Sequence, residues 1–327
     1  MQGKVSLEDS AATRVYVGID VCKDWLDVHV HPIGQAFRVP NTREGLKQLK
    51  RRLAGLRVAL IVMEATGKLH REAFRNLHDS GFPVAVINPR RSRLFAQAIG
   101  QLAKTDKVDA RMLALMGAML EPKAKAPPPE ALESFQELVH GRDSLVAQRT
   151  AFLNQLGTAK AACLKRELKR QIAALERSIA RVEDEIEAMV AAEAQLARRF
   201  AILTSIKGVG PATAWAILAN FPELGSCSAK QTAMIAGLAP LADDSGDRQG
   251  QRRIRGGRDD LRSGIYMAAV SAKSSNPGLK AFYERLVAKG KLPKIALTAV
   301  MRKLIILANT LIREDRMWEK DYAPAQA

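Results

Sequence analysis

The order of apolar patterns between Arg14 and Leu120 restricts the fold of this chain more than any other feature. "RVYVGID", Arg14 to Asp20, is an apolar run of strand length, and "WLDVHVH" alternates with the period of a half-buried strand. Ile33-Gly34 supplies a turn before a third strand, "QAFRVP". "NTREGLKQLKRRLAG" has helical apolar spacing behind an Asn41 or Thr42 cap. "RVALIVM" then reads as a buried strand and "HREAFRNLHDSG" as a helix stopped by Gly81. "PVAVIN" is another buried strand, followed by a helical run through Arg111 to Leu120. The Pro-rich "PKAKAPPPE", residues 122 to 130, ends the unit.

Three meandering strands and then helices alternating with strands is the element order of a ribonuclease-H-like α/β domain, expected over residues 1–130. A different pattern follows. Leu168, Ile172, Leu175, Ile179, Val182, Ile186 and Met189 recur at 4-3-4-3-4-3 spacing, a coiled-coil seam. Its densely charged outer positions predict a helix paired between subunits, within a helical linker region spanning 131–199. The alternative is an amphipathic helix packed within one chain. From Phe200 to about Trp318 a mainly helical, Gly-punctuated domain is expected, assigned to 200–327.

The 327 residues carry a net charge of +17 and a pI near 10.0, an excess that points to a polyanionic partner. An apolar content of 47% argues against wholesale disorder. No apolar run reaches the roughly 18 residues that span a bilayer, and the N-terminus lacks a signal-peptide apolar region. Cys22, Cys163 and Cys227 lie too far apart for a disulfide framework or a zinc site. A cytoplasmic nucleic-acid-binding protein without a membrane partner is therefore expected.

Four acidic residues stand where such a fold collects ligands. Asp20 ends the first strand, and Glu64 ends the strand in "ALIVMEATG". In "KTDKVDARMLA" the helical spacing puts Asp106 and Asp109 on one face, roughly 5–6 Å apart at Cβ. Four converging carboxylates suit a hard cation, and a pair of such ions can assist phosphoryl transfer. Ordinary roles remain open for each. Asp20 could cap a turn, Asp106 could be a helix N-cap with Asp109 in the first turn, and Lys104, Lys107 and Arg111 could neutralise the pair.

Two stretches of the second domain suit nucleic acid. "LTSIKGVGPATAWAIL" places Lys207, Gly208 and Gly210 at a turn between two helices, like a helix-hairpin-helix clamp whose backbone N–H groups hold a phosphate. Six arginines follow at Arg248, Arg252, Arg253, Arg255, Arg258 and Arg262, interleaved with glycine in a manner that suits close approach to a phosphate backbone.

"YVGIDVCKDWLDV", "EATG", "VINP" and "KTDKVDARMLA", in this order and spacing, resemble the N-terminal domain of the insertion-sequence-one-ten family of DEDD transposases. "LTSIKGVGPATAWAILANF", "AKQTAMIAGLAP" and "DDSGDRQGQRRIRGGRDDLRSGIYMAA" extend the resemblance over nearly the whole chain, most specifically to the eleven-eleven subgroup. Site-specific DNA invertases of the Piv type are close relatives of that family. The resemblance implies that Asp20, Glu64, Asp106 and Asp109 form a metal-binding tetrad on a Holliday-junction-resolvase-like fold, with Mg2+ or Mn2+ as the ion.

It further implies that Ser245, in "ADDSGDR", is the nucleophile that attacks a DNA phosphodiester; Ser205, Ser226, Ser228 and Ser263 are the competing serines. No histidine lies nearby, so the site is expected to be assembled from two domains, across a subunit boundary. The implied partners are donor and target DNA, a structured bridge RNA that pairs with both, and further copies of the chain, as a dimer or as a tetramer on synapsed DNA. A Piv-like DNA invertase is a variant of this reading, and two others compete: a junction-resolving nuclease that uses water, and a non-catalytic nucleic-acid scaffold that would leave the four acids without a role.

Overall fold

The computed structural model of the chain describes residues 13–101, 106–242, 244–246, 250 and 252–319, with the backbone alone at 106 and 107. It divides into two compact units at Pro128/Pro129.

In the first unit β1 (Arg14–Val21), β2 (Trp25–His31) and β3 (Gln35–Pro40) form an antiparallel meander, and β4 (Arg57–Glu64) and β5 (Val84–Ile87) add to β1 in parallel. The sheet order is β3-β2-β1-β4-β5. The two parallel crossovers carry α1 (Arg43–Leu53) and α2 (Arg71–Asp79), as parallel neighbours require. Strand alternation then sorts the side chains. Val15, Val17, Ile19, Ile61, Met63 and Val84 point to one face and are buried under Leu46, Leu49 and Leu53 of α1 and Phe74 and Leu77 of α2. Leu60, Val62, Ala85 and Ile87 point to the other face, against Leu113 and Met116 of α4 (Asp106–Leu120).

The helical run expected after β5 is two helices. Asn88 caps α3 (Pro89–Ala98), which closes at Gly100 with φ of 78° before α4 begins.

Among its described residues the second unit is helical apart from a short hairpin of two-residue strands, β6 (Pro240–Leu241) with β7 (Arg253–Ile254). The coiled-coil seam lies on α6 (Ala162–Ala192), which folds back along α5 (Glu130–Thr158) of the same chain. Leu168, Ile172, Ile179 and Ile186 are buried there, and Arg142 of α5 pairs with Glu183 of α6 at 2.8 Å. Positions expected to pair between subunits are thus covered within one chain, because a neighbouring helix of ample length lies a three-residue link away. On the α5–α6 pair Phe135, Val139, Ile186 and Val190 share one core with Ile202, Leu203 and Ile206.

The rest of that core comes from α7 (Ala194–Ser205), α8 (Pro211–Asn220), α9 (Ala229–Ile235), α10 (Asp259–Ser275), α11 (Pro277–Ala288) and α12 (Pro293–Arg313). By length and composition α12 is apolar enough to cross a membrane, yet Ala296, Val300, Leu304, Ile305, Ala308 and Leu311 bury one side of it in the core. Asn309 on this helix joins Gly225 N–H and the Cys227 carbonyl, each at 2.8 Å, so its polar amide is satisfied where it is buried.

Candidate active site

Asp20 and Glu64 come together at the carboxyl end of the sheet because β1 and β4 are parallel neighbours, with Ile19 opposite Met63. Alternation directs both carboxylates to the α4 side, with Gly18 below Asp20 and Val62 below Glu64. Gly18 explains how α4 reaches them. A Cβ at this position would lie 2.0 Å from the Ala110 carbonyl oxygen and 2.4 Å from the Ala114 amide nitrogen. The helix backbone therefore rests directly on β1, and Asp109, just before Ala110, is drawn to the end of the sheet that holds Asp20. Asp106 is the first residue of α4, one turn earlier; its side chain lies outside the described residues.

Glu64 is half-buried and held from the third side. Ser92, on α3, donates its hydroxyl to Glu64 Oε2 at 2.5 Å and also reaches the Pro89 carbonyl at 2.9 Å. An anchored carboxylate keeps its second oxygen in a defined direction, which suits a ligand more than a surface charge.

Opposite Asp20 in the antiparallel register stands Asp27, an acid that sequence reading passed over. Asp27 is 5% exposed, and Arg38 on β3 clamps it with Nε to Oδ1 at 2.9 Å and Nη2 to Oδ2 at 2.7 Å. The pair lines a cavity of about 500 Å³ with Phe37 and Ala110. By neutralising Asp27, Arg38 prevents a second carboxylate beside Asp20 from adding uncompensated repulsion. The signal for this pair was an acid inside one alternating strand and an arginine inside the next. His29, opposite Gly18, is held below the ordinary histidine pKa by burial and then by the nearby Arg111 and His31 charges.

A donor set of carboxylate oxygens fits a hard divalent cation such as Mg2+ and not a thiophilic metal. Among the described residues no three acidic, histidine or cysteine side chains close into a ready-made metal group. What the backbone places is three of the four expected acids and the first turn of the helix that carries the fourth.

In the second unit α7, a turn and α8 form the expected helix pair. Gly208, at φ of 101°, is demanded by packing: a Cβ would meet Ala272 of α10 at 2.6 Å. Lys207 and Gly210 are exposed, and Gly210 is the N-cap of α8. The arginine stretch divides. Arg252, Arg253 and Arg255 are exposed, whereas Arg248 lies outside the described residues.

Arg258 forms a two-pronged ion pair with Glu223, both contacts at 2.7 Å, and donates to the Asn220 carbonyl at 2.8 Å. Arg262 donates to the Gly256 carbonyl and pairs with Asp259. These two arginines brace the protein's own loops. Gly257 likewise serves an internal contact: a Cβ there would lie 2.2 Å from Gly237 N.

Ser245 is exposed in the segment between β6 and β7, beside Asp244, whose carboxylate accepts from Gly250 N–H at 3.0 Å. Three of the competing serines have structural partners. Ser205 accepts from Trp318 N–H, Ser226 bonds the Glu223 carbonyl, and Ser228 caps α9.

Two family models match the chain. A DEDD transposase model of the IS110 type covers residues 17–159, and one described as "Transposase IS116/IS110/IS902 family" covers residues 200–284. The chain is similar to the pilin gene-inverting protein of Moraxella bovis, 28% identical over 94% of this chain and 98% of the relative. It is also similar to a probable family 20 transposase of Pseudomonas aeruginosa, 28% identical over 71% of this chain and 76% of the relative. An insertion element IS110 uncharacterized 43.6 kDa protein of Streptomyces coelicolor is 31% identical over 36% of this chain and 30% of its own length.

Proposed function

From its place in the IS110 family of transposases, to which the chain belongs, we propose that this DNA-recombining enzyme cuts and rejoins DNA by serine attack at a site completed by Asp20, Glu64, Asp106 and Asp109. The observation that carries this reading is the meeting of Asp20 and Glu64 at the ends of two parallel strands, with α4 seated on Gly18 so that Asp109 arrives at the same end. A divalent metal such as Mg2+ held there would supply Lewis-acid stabilisation of charge at the phosphate. Ser92 keeps Glu64 oriented, and Arg38 keeps Asp27 from competing with Asp20.

Ser245 Oγ forms the new bond to phosphorus while the phosphate–sugar oxygen bond breaks, and the serine proton ends on the leaving hydroxyl. One ester replaces another, so the step is reversible and the broken end is stored for rejoining. The exposed Lys207, Gly210, Arg252, Arg253 and Arg255 are suited to hold backbone phosphates, and the +17 charge favours nucleic-acid partners. In this reading a bridge RNA pairs with donor and target DNA, and two or more copies act on synapsed DNA in the cytoplasm. Similarity to pilin gene-inverting proteins over almost the full length favours inversion of a DNA segment as a second outcome of the same chemistry. The DNA flanking the gene decides between the two.

Asp109→Asn should abolish recombination with folding unchanged, and a chelator should do the same to the wild type. Full activity in either case would remove the metal site from the account.

A further inference from the structure

The α3 helix presents two sides of different character beside Glu64. Ser92 and Ala96 face inward, the first to Glu64 and the second into the domain. Arg90, Arg91 and Arg93 are exposed, and Arg90 and Arg93 share a face with the exposed Leu94 and Gln97. Among the described residues no acid pairs with any of the three guanidinium groups.

Their position runs against the intrinsic electrostatics of a helix. The first turns of α1 and α2 hold Glu44 and Glu72, and α1 ends in Lys50, Arg51 and Arg52, as the dipole favours. The first turn of α3 holds no acid, and Pro89 is followed there by Arg90 and Arg91. Cations at a helix N-terminus, packed within four residues, repel both the dipole and one another. The arrangement becomes favourable when an anion occupies the surface, and phosphate suits guanidinium geometry.

We propose that the outward side of α3, through Arg90, Arg91 and Arg93, grips backbone phosphates of the DNA strand presented to the carboxylates. The strand to be cut must pass Glu64, and Ser92 ties this helix to that residue, so the phosphates within its reach belong to that strand. Backbone contacts of this kind hold register without reading sequence. The proposal rests on the recombinase reading for its choice of DNA, but its test reads binding and not strand exchange.

The test uses the full chain with Arg90→Gln, Arg91→Gln and Arg93→Gln combined. The comparison is Lys169→Gln, Arg177→Gln and Arg181→Gln, an equal loss of charge on exposed positions of α6 beyond its first turn. The affinity for duplex DNA is measured against salt concentration. With about 0.9 of slope per phosphate contact, the α3 variant should lose roughly two to three from the logarithmic salt slope and the α6 variant less than one. The α3 variant should also melt no lower than wild type, since repulsion at the helix start is relieved.

Equal slopes for the two variants, or a wild-type slope for the α3 variant, would overturn the proposal. So would a loss confined to RNA binding, which would assign the surface to a guide RNA instead. A slope loss together with a wild type that makes no recombinant in any assay would leave this surface standing and remove the recombinase reading.

Discussion

Gly18→Ala tests how the two halves of the acidic site are brought together. The new methyl would meet the Ala110 carbonyl oxygen at 2.0 Å and the Ala114 amide at 2.4 Å, both backbone atoms of α4 that no rotamer change can clear. Side-chain carbons essentially never approach closer than 3.0 Å, so α4 has to lift from β1 by about 1 Å or more. Overpacking of this size costs about 1–3 kcal/mol. Asp109 precedes Ala110 and moves with it, and a misplacement of about 1 Å at a reacting centre lowers the rate roughly 100-fold.

Urea unfolding followed by circular dichroism reads the first effect, and recombination of a supercoiled substrate at a temperature where the variant is folded reads the second. Gly141→Ala is the control. It adds a methyl where no atom lies within 4 Å, in the interior of α5, and should stabilise by about 0.5–1 kcal/mol. Wild-type stability and full activity in Gly18→Ala would refute the seating of α4 on β1. A stability loss with undiminished activity would show that the position of Asp109 does not matter to the reaction.

Arg38→Met leaves Asp27 buried without its partner and should lower stability by about 2–3 kcal/mol, measured by urea unfolding, with Arg38→Met/Asp27→Leu recovering most of it. Ile179→Asp should lower the melting temperature without changing the oligomeric state seen by light scattering, because the seam is closed within one chain; dissociation of a folded oligomer would contradict this. The depressed His29 pKa makes the folded state bind fewer protons, so its contribution is present above the ordinary value of 6.5 and is lost as pH falls through the folded pKa. Unfolding measured between pH 7 and pH 5 should therefore show a decline that His29→Gln reduces.

The central strands of the first unit were legible because a sheet covered on both faces imposes near-continuous apolar runs on them, and β2 because it alternates. "QAFRVP" is β3 residue for residue, and β1 runs only to Val21, one residue beyond the predicted end. Asp20 and Glu64 were legible for the same reason, since strand ends mark themselves. Asp27 and Arg38 were not, because their pairing depends on the β2–β3 register, which no single strand states. The seam on α6 declared its need for an apolar partner but not which helix supplies it.

Arginine and glycine near "RRIRGGR" reported available charge and permissive backbone. Whether each serves the protein or a ligand depends on what the fold sets beside it. Glu223 beside Arg258, and Gly237 beside Gly257, are contacts across tens of residues that local pattern does not carry.

The most direct test of the account looks for the bond that serine attack must form. The wild-type chain, with a labelled DNA substrate and the RNA proposed to guide it, is quenched in denaturant during reaction and resolved by denaturing electrophoresis. A covalent protein–DNA adduct is predicted for the wild type, and none for Ser245→Ala or for Asp109→Asn, both of which still bind the DNA. An adduct that persists in Ser245→Ala, or DNA cleavage by the wild type with no adduct at any time, would contradict the account.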